Sequence, residues 1–220
     1  VTGPLALIGG GEWSDGCSFD RTLLDSVGAE EVVVLPTASA YEHPDRLVTQ
    51  AEQWFGAMGV RVRGLMVLGR PDALERDNVD VVAAARFLYL AGTSPMHLRS
   101  VLKDSPLWDA LVAAWNGGAA VAGSSAGAMV LCDPMVDQRG GAFTLGLGLL
   151  DGVAVVPHHD TWSEEKAHRT RQLAPKGLVV AGVDERTALV RDGDGQWRAE
   201  GAGAVSIWRD GAEFGLDVLP

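Results

Sequence analysis

Short apolar runs at residues 5–8, 31–35, 60–68, 87–90 and 119–122 constrain the fold of this chain more than any other feature. Each reads as a buried strand of a mostly parallel sheet, covered by helices on both faces. Between them, residues 19–27, 44–58, 96–102 and 106–115 carry apolar side chains at helical spacing. Strand and helix in alternation are the signature of βαβ units, so the chain is expected to be α/β. After Asp133 the pattern shifts: strands are expected at 142–145, 152–156 and 178–183, with a polar-faced helix at 163–173. Four further runs, 187–191, 196–200, 204–208 and 213–218, are separated by turn chemistry such as Asp192-Gly193-Asp194-Gly195. These predict antiparallel hairpins on the edge of the sheet. With no composition shift to divide it, the expectation is one domain over residues 1–220, large enough to bury a good core.

A net charge of −11 argues against nucleic acid or an anionic membrane as the main partner, since either needs clustered Lys and Arg. A small molecule or short peptide is the expected partner, and a homodimer is left open. Cys17 and Cys132 stand far apart with no second ligand cluster, so neither a zinc site nor a disulfide framework is signalled. A reduced, cytoplasmic setting is the expectation. The opening segment has no basic leader, and its apolar run is too short for a signal peptide or membrane span. The chain begins at Val1 without Met, so a trimmed segment stays open.

The chemistry centres on Gly123-Ser124-Ser125-Ala126-Gly127, which matches Gly-x-Ser-x-Gly. In a chain with 28 glycines the pentad alone is weak, but a small-residue strand precedes it and a helix-compatible segment follows. A strand-to-helix elbow needs glycines for close approach, and it leaves Ser125 exposed to a substrate with the Ala126 amide free for an oxyanion. Of the five histidines, His158 and His159 follow an apolar run, at the strand end where sheets of this kind carry their sites. His43 and His97 read as surface residues, while His168 lies on the polar helix. The acid that would orient a histidine base is open among Asp184, Glu185, Asp160, Asp133 and Asp137.

At these residues the chain resembles the cyanophycinase and dipeptidase E family of serine peptidases, whose domain is similar to a class I glutamine amidotransferase with serine replacing the cysteine nucleophile. The resemblance covers nearly the whole chain. It rests on Gly9-Gly10-Gly11-Glu12, Leu35-Pro36-Thr37-Ala38-Ser39, the elbow through Ala128, Pro157-His158, and Gly182-Val183-Asp184-Glu185-Arg186-Thr187-Ala188-Leu189. It implies Ser125 as nucleophile, His158 rather than His159 as base, and Glu185 as the third member. The dipeptidase E branch would instead point to Asp133 or Asp137. Where relatives have Gly-Gly followed by Asp or Asn and Gln, this chain reads Ala91-Gly92-Thr93-Ser94. Gly92 still fits as second oxyanion donor beside Ala126, while the changed polar side chains, Thr93 among them, weaken the case for cyanophycin itself. Aspartyl substrates would need a cation, for which Arg169 and Arg171 are the candidates, against a plain reading in which they pair with Glu164 or Glu165.

No cofactor is expected and no metal. A cluster of His158, His159, Asp160, Glu165 and His168 fits no ligand signature. Gly9-Gly10-Gly11 completes neither the dinucleotide nor the Walker pattern. The rivals to a peptidase are an α/β-hydrolase esterase, which does not explain the Asp-Glu-x-Thr-Ala run, and a catalytically silent binding module of the same fold. Trp54, Trp108 and Trp115 read as packing residues, whereas Trp13 and Trp162 could wall a substrate pocket.

Overall fold

The computed structural model describes residues 2–137, 139 and 141–220. In its main sheet, β1 (Leu5–Ile8), β2 (Glu31–Leu35), β3 (Arg61–Gly64), β4 (Phe87–Leu90) and β5 (Ala120–Ser124) run parallel in the order β1-β5-β4-β2-β3. Alternate residues of these strands feed two different cores. Leu5, Leu7, Val33, Leu35, Leu88, Leu90 and Val121 face one, and Ala6, Ile8, Val32, Val34, Phe87, Tyr89 and Ala122 face the other. Burial on both faces is why β1, β4 and β2 beyond Glu31 are continuously apolar.

Helices α1 (Phe19–Val27) and α2 (Pro44–Ala57) cover the second face. The first buries Phe19, Leu23, Leu24 and Val27, one stripe of the helix, and stops at Gly28 in the left-handed conformation. The opposite face is covered by α3 (Arg76–Ala84), α4 (Pro95–Leu102), α5 (Pro106–Asn116) and α6 (Ala126–Leu131). Ser94 and Ser105 cap α4 and α5 ahead of Pro95 and Pro106. Helix α3 has no counterpart among the expected elements, because it is rich in Asp and Asn and buries only Val82 completely. Strand β3 is also shorter than expected: it lies on the sheet edge with Arg61 and Arg63 outward, and among the described residues it pairs only with β2.

Four two-residue strands, β6 (Cys132–Asp133), β7 (Met135–Val136), β8 (Phe143–Thr144) and β9 (Leu150–Asp151), follow α6 and lead to β10 (Val153–Val156). Beyond it come α7 (Glu164–Leu173), β11 (Val179–Val183), β12 (Thr187–Arg191), β13 (Trp197–Gly201), β14 (Val205–Arg209) and β15 (Ala212–Phe214). The antiparallel tail divides between two sheets. The hairpin β12–β13 extends the main sheet beside β1, whereas β14 and β15 join β11 and β10 in a second sheet ordered β10-β11-β14-β15. The C-terminal ends of β1, β5, β10 and β11 converge, and the loops leaving them carry the residues singled out above. Among the described residues no helix is long and apolar enough to cross a membrane.

Candidate active site

The elbow is built by close packing. A Cβ on Gly127 would stand 2.2 Å from the Leu90 carbonyl oxygen, and one on Gly123 2.6 Å from the Gly127 carbonyl carbon. Only glycine therefore lets α6 descend directly onto β4 and β5. Between these glycines Ser125 adopts φ 51° and ψ −107°, a strained conformation for a residue with a Cβ. Its amide donates to the Ile8 carbonyl at 3.0 Å, and its side chain is nearly buried, the residue being 8% exposed.

His158 leaves β10 through Pro157 and also lies at positive φ, 52°. Its amide donates to the Gly9 carbonyl at 2.7 Å, which fixes the ring's base. From there His158 Nε2 is 2.9 Å from Ser125 Oγ, and His158 Nδ1 is 2.8 Å from Glu185 Oε1. A carboxylate can only accept, so Nδ1 carries the ring proton of the neutral imidazole and Nε2 is left to accept from the serine hydroxyl. Glu185 is held in turn by Asp160, whose Oδ1 accepts the Glu185 amide at 3.0 Å.

The other acidic candidates are engaged elsewhere. Asp133 Oδ1 accepts the Gly146 amide at 2.9 Å, Asp137 pairs with Arg139, and Asp184 accepts the Ala204 amide and lies 3.6 Å from His159. The Arg139 guanidinium holds the Asp137 carboxyl below its ordinary range. His159 packs its ring on Trp208, 5.1 Å between centroids. His97 Nε2 contacts the Leu68 carbonyl, and His43 and His168 are exposed. Among the described residues no group of three or more His, Cys, Asp or Glu is arranged to hold a metal ion.

Gly92 and Ala126 meet, with a geometry of their own: the Ala126 amide donates to the Gly92 carbonyl at 3.3 Å. One residue on, Thr93 donates its hydroxyl to Glu42 at 2.7 Å. Both line a cleft of about 340 Å³ that also includes Met96, Met135 and Asp137. Arg171 lies 4.9 Å from the Trp208 ring, in a cation–π contact on the second sheet. Arg169 is exposed and has no hydrogen bond or ion pair among the described residues. Trp13 belongs to the core, against Tyr89 and Phe55. Trp162 borders a surface recess with Glu164, Glu165 and His168, beneath the Lys166 ammonium.

Two residues escaped the sequence reading. Asp160 reads from sequence as a candidate acid or as part of a cluster without a ligand signature, whereas in the fold its carboxylate accepts the Glu185 amide. Glu12 reads from sequence as no more than the end of Gly9-Gly10-Gly11-Glu12, yet it accepts a hydrogen bond of 2.6 Å from Ser124, the residue before the nucleophile candidate. Its place directly after three glycines was the available signal.

The model of Peptidase family S51 matches residues 5–197. A cyanophycinase from Synechococcus elongatus is 27% identical over 93% of this chain and 67% of its own length. A cyanophycinase from Nostoc sp. is 26% identical over 91% of this chain and 72% of its own. A crystal structure of a peptidase from an acI-B1 actinobacterium superimposes with a TM-score of 0.86 at 29% identity, covering 97% of this chain and 93% of that one.

Proposed function

The chain belongs to peptidase family S51, a serine peptidase family, and on that premise we propose that it cleaves short peptides through an acyl-enzyme on Ser125. The observation that carries the reading is the pair of hydrogen bonds joining Ser125, His158 and Glu185 in line at 2.9 and 2.8 Å. His158 takes the serine proton as Ser125 Oγ attacks the scissile carbonyl, and Glu185 holds the ring in the required tautomer and stabilises the imidazolium. His158 then gives that proton to the leaving amine, and water resolves the acyl-enzyme by the same route.

The oxyanion is assigned to the backbone amides of Ala126 and Gly92. At 3.3 Å the bond that now joins the Ala126 amide to the Gly92 carbonyl is long, and a developing oxyanion, as a charged acceptor, is the stronger partner for Ala126. The substrate class is assigned to peptides with an aspartyl residue, whose carboxylate needs a cation in this acidic protein. Arg169 has no competing partner among the described residues, unlike Arg171 on Trp208, and Thr93 lines the cleft beyond the oxyanion segment. A silent binding module would have no use for an aligned serine, imidazole and carboxylate.

The test is labelling by a fluorophosphonate, for wild type beside Ser125→Ala and His158→Ala, followed by a dipeptide panel that includes aspartyl and non-aspartyl members. Labelling and cleavage by wild type that both variants lose is the expected outcome. A wild type that reacts no better than Ser125→Ala refutes the peptidase mechanism, and indifference to the aspartyl residue refutes the substrate class.

A further inference from the structure

The segment that leaves β1 touches in succession the stretches that carry Ser125, His158 and Glu185. The Ile8 carbonyl accepts the Ser125 amide at 3.0 Å, the Gly9 carbonyl accepts the His158 amide at 2.7 Å, and the Gly10 carbonyl accepts the Arg186 amide at 2.7 Å, next to Glu185. Then Glu12 Oε2 accepts the Ser124 hydroxyl at 2.6 Å, returning the segment to the elbow. Three of its five residues are glycines, which have no side chains to fix them and the largest backbone freedom to lose. Its carbonyls hold it along its length, that of Gly11 by accepting the Ser14 hydroxyl at 2.6 Å, and its two ends are held as well. At one end β1 holds it. At the other, Glu12 is the first residue with a side chain, and Ser124, fully buried, is its partner.

We infer that Glu12 is a positioning residue, which through its hydrogen bond to Ser124 locks the glycine segment seating His158 to the elbow carrying Ser125. The inference rests on the proposed roles of Ser125 and His158. Glu12 does not touch the reacting atoms. Its carboxylate fixes the distance between two elements that do, and the bond requires an acceptor at this position, not a charge.

The experiment compares fluorophosphonate labelling rates of wild type, Ser125→Ala, Glu12→Ala, Glu12→Gln, Ser124→Ala and the double variant Glu12→Ala/Ser124→Ala, each with its thermal unfolding recorded. Glu12→Ala and Ser124→Ala are each expected to label about 10- to 100-fold more slowly while still unfolding cooperatively. The double variant should be no slower than the slower single one, because both remove the same bond. Glu12→Gln, which can still accept from Ser124, should recover most of the rate. The midpoint of the labelling rate against pH should stay at its wild-type value in Glu12→Gln. Failure of wild type to label above Ser125→Ala overturns the mechanism beneath the inference. If wild type labels, then unchanged rates in Glu12→Ala and Ser124→Ala, additive losses in the double variant, or no recovery in Glu12→Gln each overturn the positioning role. Should Glu12→Ala fail to fold, Ser124→Ala, which removes one hydroxyl from a packed site, decides the question alone.

Discussion

Replacing Gly10 by alanine tests the site geometry at its tightest point. An alanine Cβ there would lie 2.1 Å from His158 Cε1 and 2.7 Å from both ring nitrogens, and Gly10 has φ 106°. Two costs follow. Holding a non-glycine residue in that backbone conformation costs about 1–3 kcal/mol, which for a chain of this size corresponds to a fall in Tm of roughly 2–12 °C. The second cost falls on the imidazole. Ordinary contact between two carbons is about 3.5 Å, so the ring must retreat by more than 1 Å. A retreat of that size stretches either the 2.9 Å bond to Ser125 or the 2.8 Å bond to Glu185 beyond hydrogen-bonding range. Misplacement on this scale costs about 10²-fold in rate, and complete loss of a general base about 10²- to 10⁴-fold. The assay is the second-order rate of fluorophosphonate labelling for wild type and Gly10→Ala, with Ser125→Ala as the zero and a thermal melt to show that the variant is folded. A folded Gly10→Ala that labels within a few-fold of wild type would refute the argument that the glycine exists to seat His158.

Further outcomes follow from the same structure. Glu185→Gln should lower kcat about 10²- to 10⁴-fold with a smaller change in KM, since Gln cannot stabilise the imidazolium; steady-state kinetics on any cleaved dipeptide measures this, and an unchanged kcat assigns the acid elsewhere. Asp20 is fully buried, its Oδ2 accepting from Trp54 Nε1 at 2.9 Å, and burial raises its carboxyl well above the ordinary value, with the Glu12 and Glu200 charges adding to the shift. The native state therefore keeps a proton that the unfolded chain releases near pH 4, so stability from this group is present below about pH 4 and lost as pH rises through the folded value. Asp20→Asn removes that loss, and its stability advantage in urea melts should grow as pH increases from about 4; a pH-independent difference contradicts the buried neutral carboxyl. Burial pushes the Cys132 thiol up to about 12 and also raises that of Cys17. Neither should be alkylated by iodoacetamide at pH 8 until denaturant is added, and mass spectrometry of native samples showing rapid modification of Cys132 would contradict this.

The sequence by itself determined the local architecture. Continuous apolar strands such as Leu5–Ile8 and Phe87–Leu90, the Ser-Pro starts of α4 and α5, and the glycines flanking Ser125 are local properties, written in period, capping and the space a side chain needs. Families of contacts between distant segments are not written that way. Period 2 says which face of a strand is apolar, not which sheet it joins, so β14 and β15 were legible as strands while their place in a second sheet was not. From the residues alone the acid partner of His158 was open among five carboxylates for the same reason; the family resemblance pointed to Glu185, and the fold shows it at 2.8 Å while Asp133, Asp137 and Asp184 are engaged elsewhere. Asp160 and Glu12 are the sharpest cases. Their partners, the Glu185 amide and the Ser124 hydroxyl, lie 25 and 112 residues away along the chain. A carboxylate's chemistry is fixed by its residue type, but its role is set by what stands within 3 Å of it, and that is a property of the packed chain.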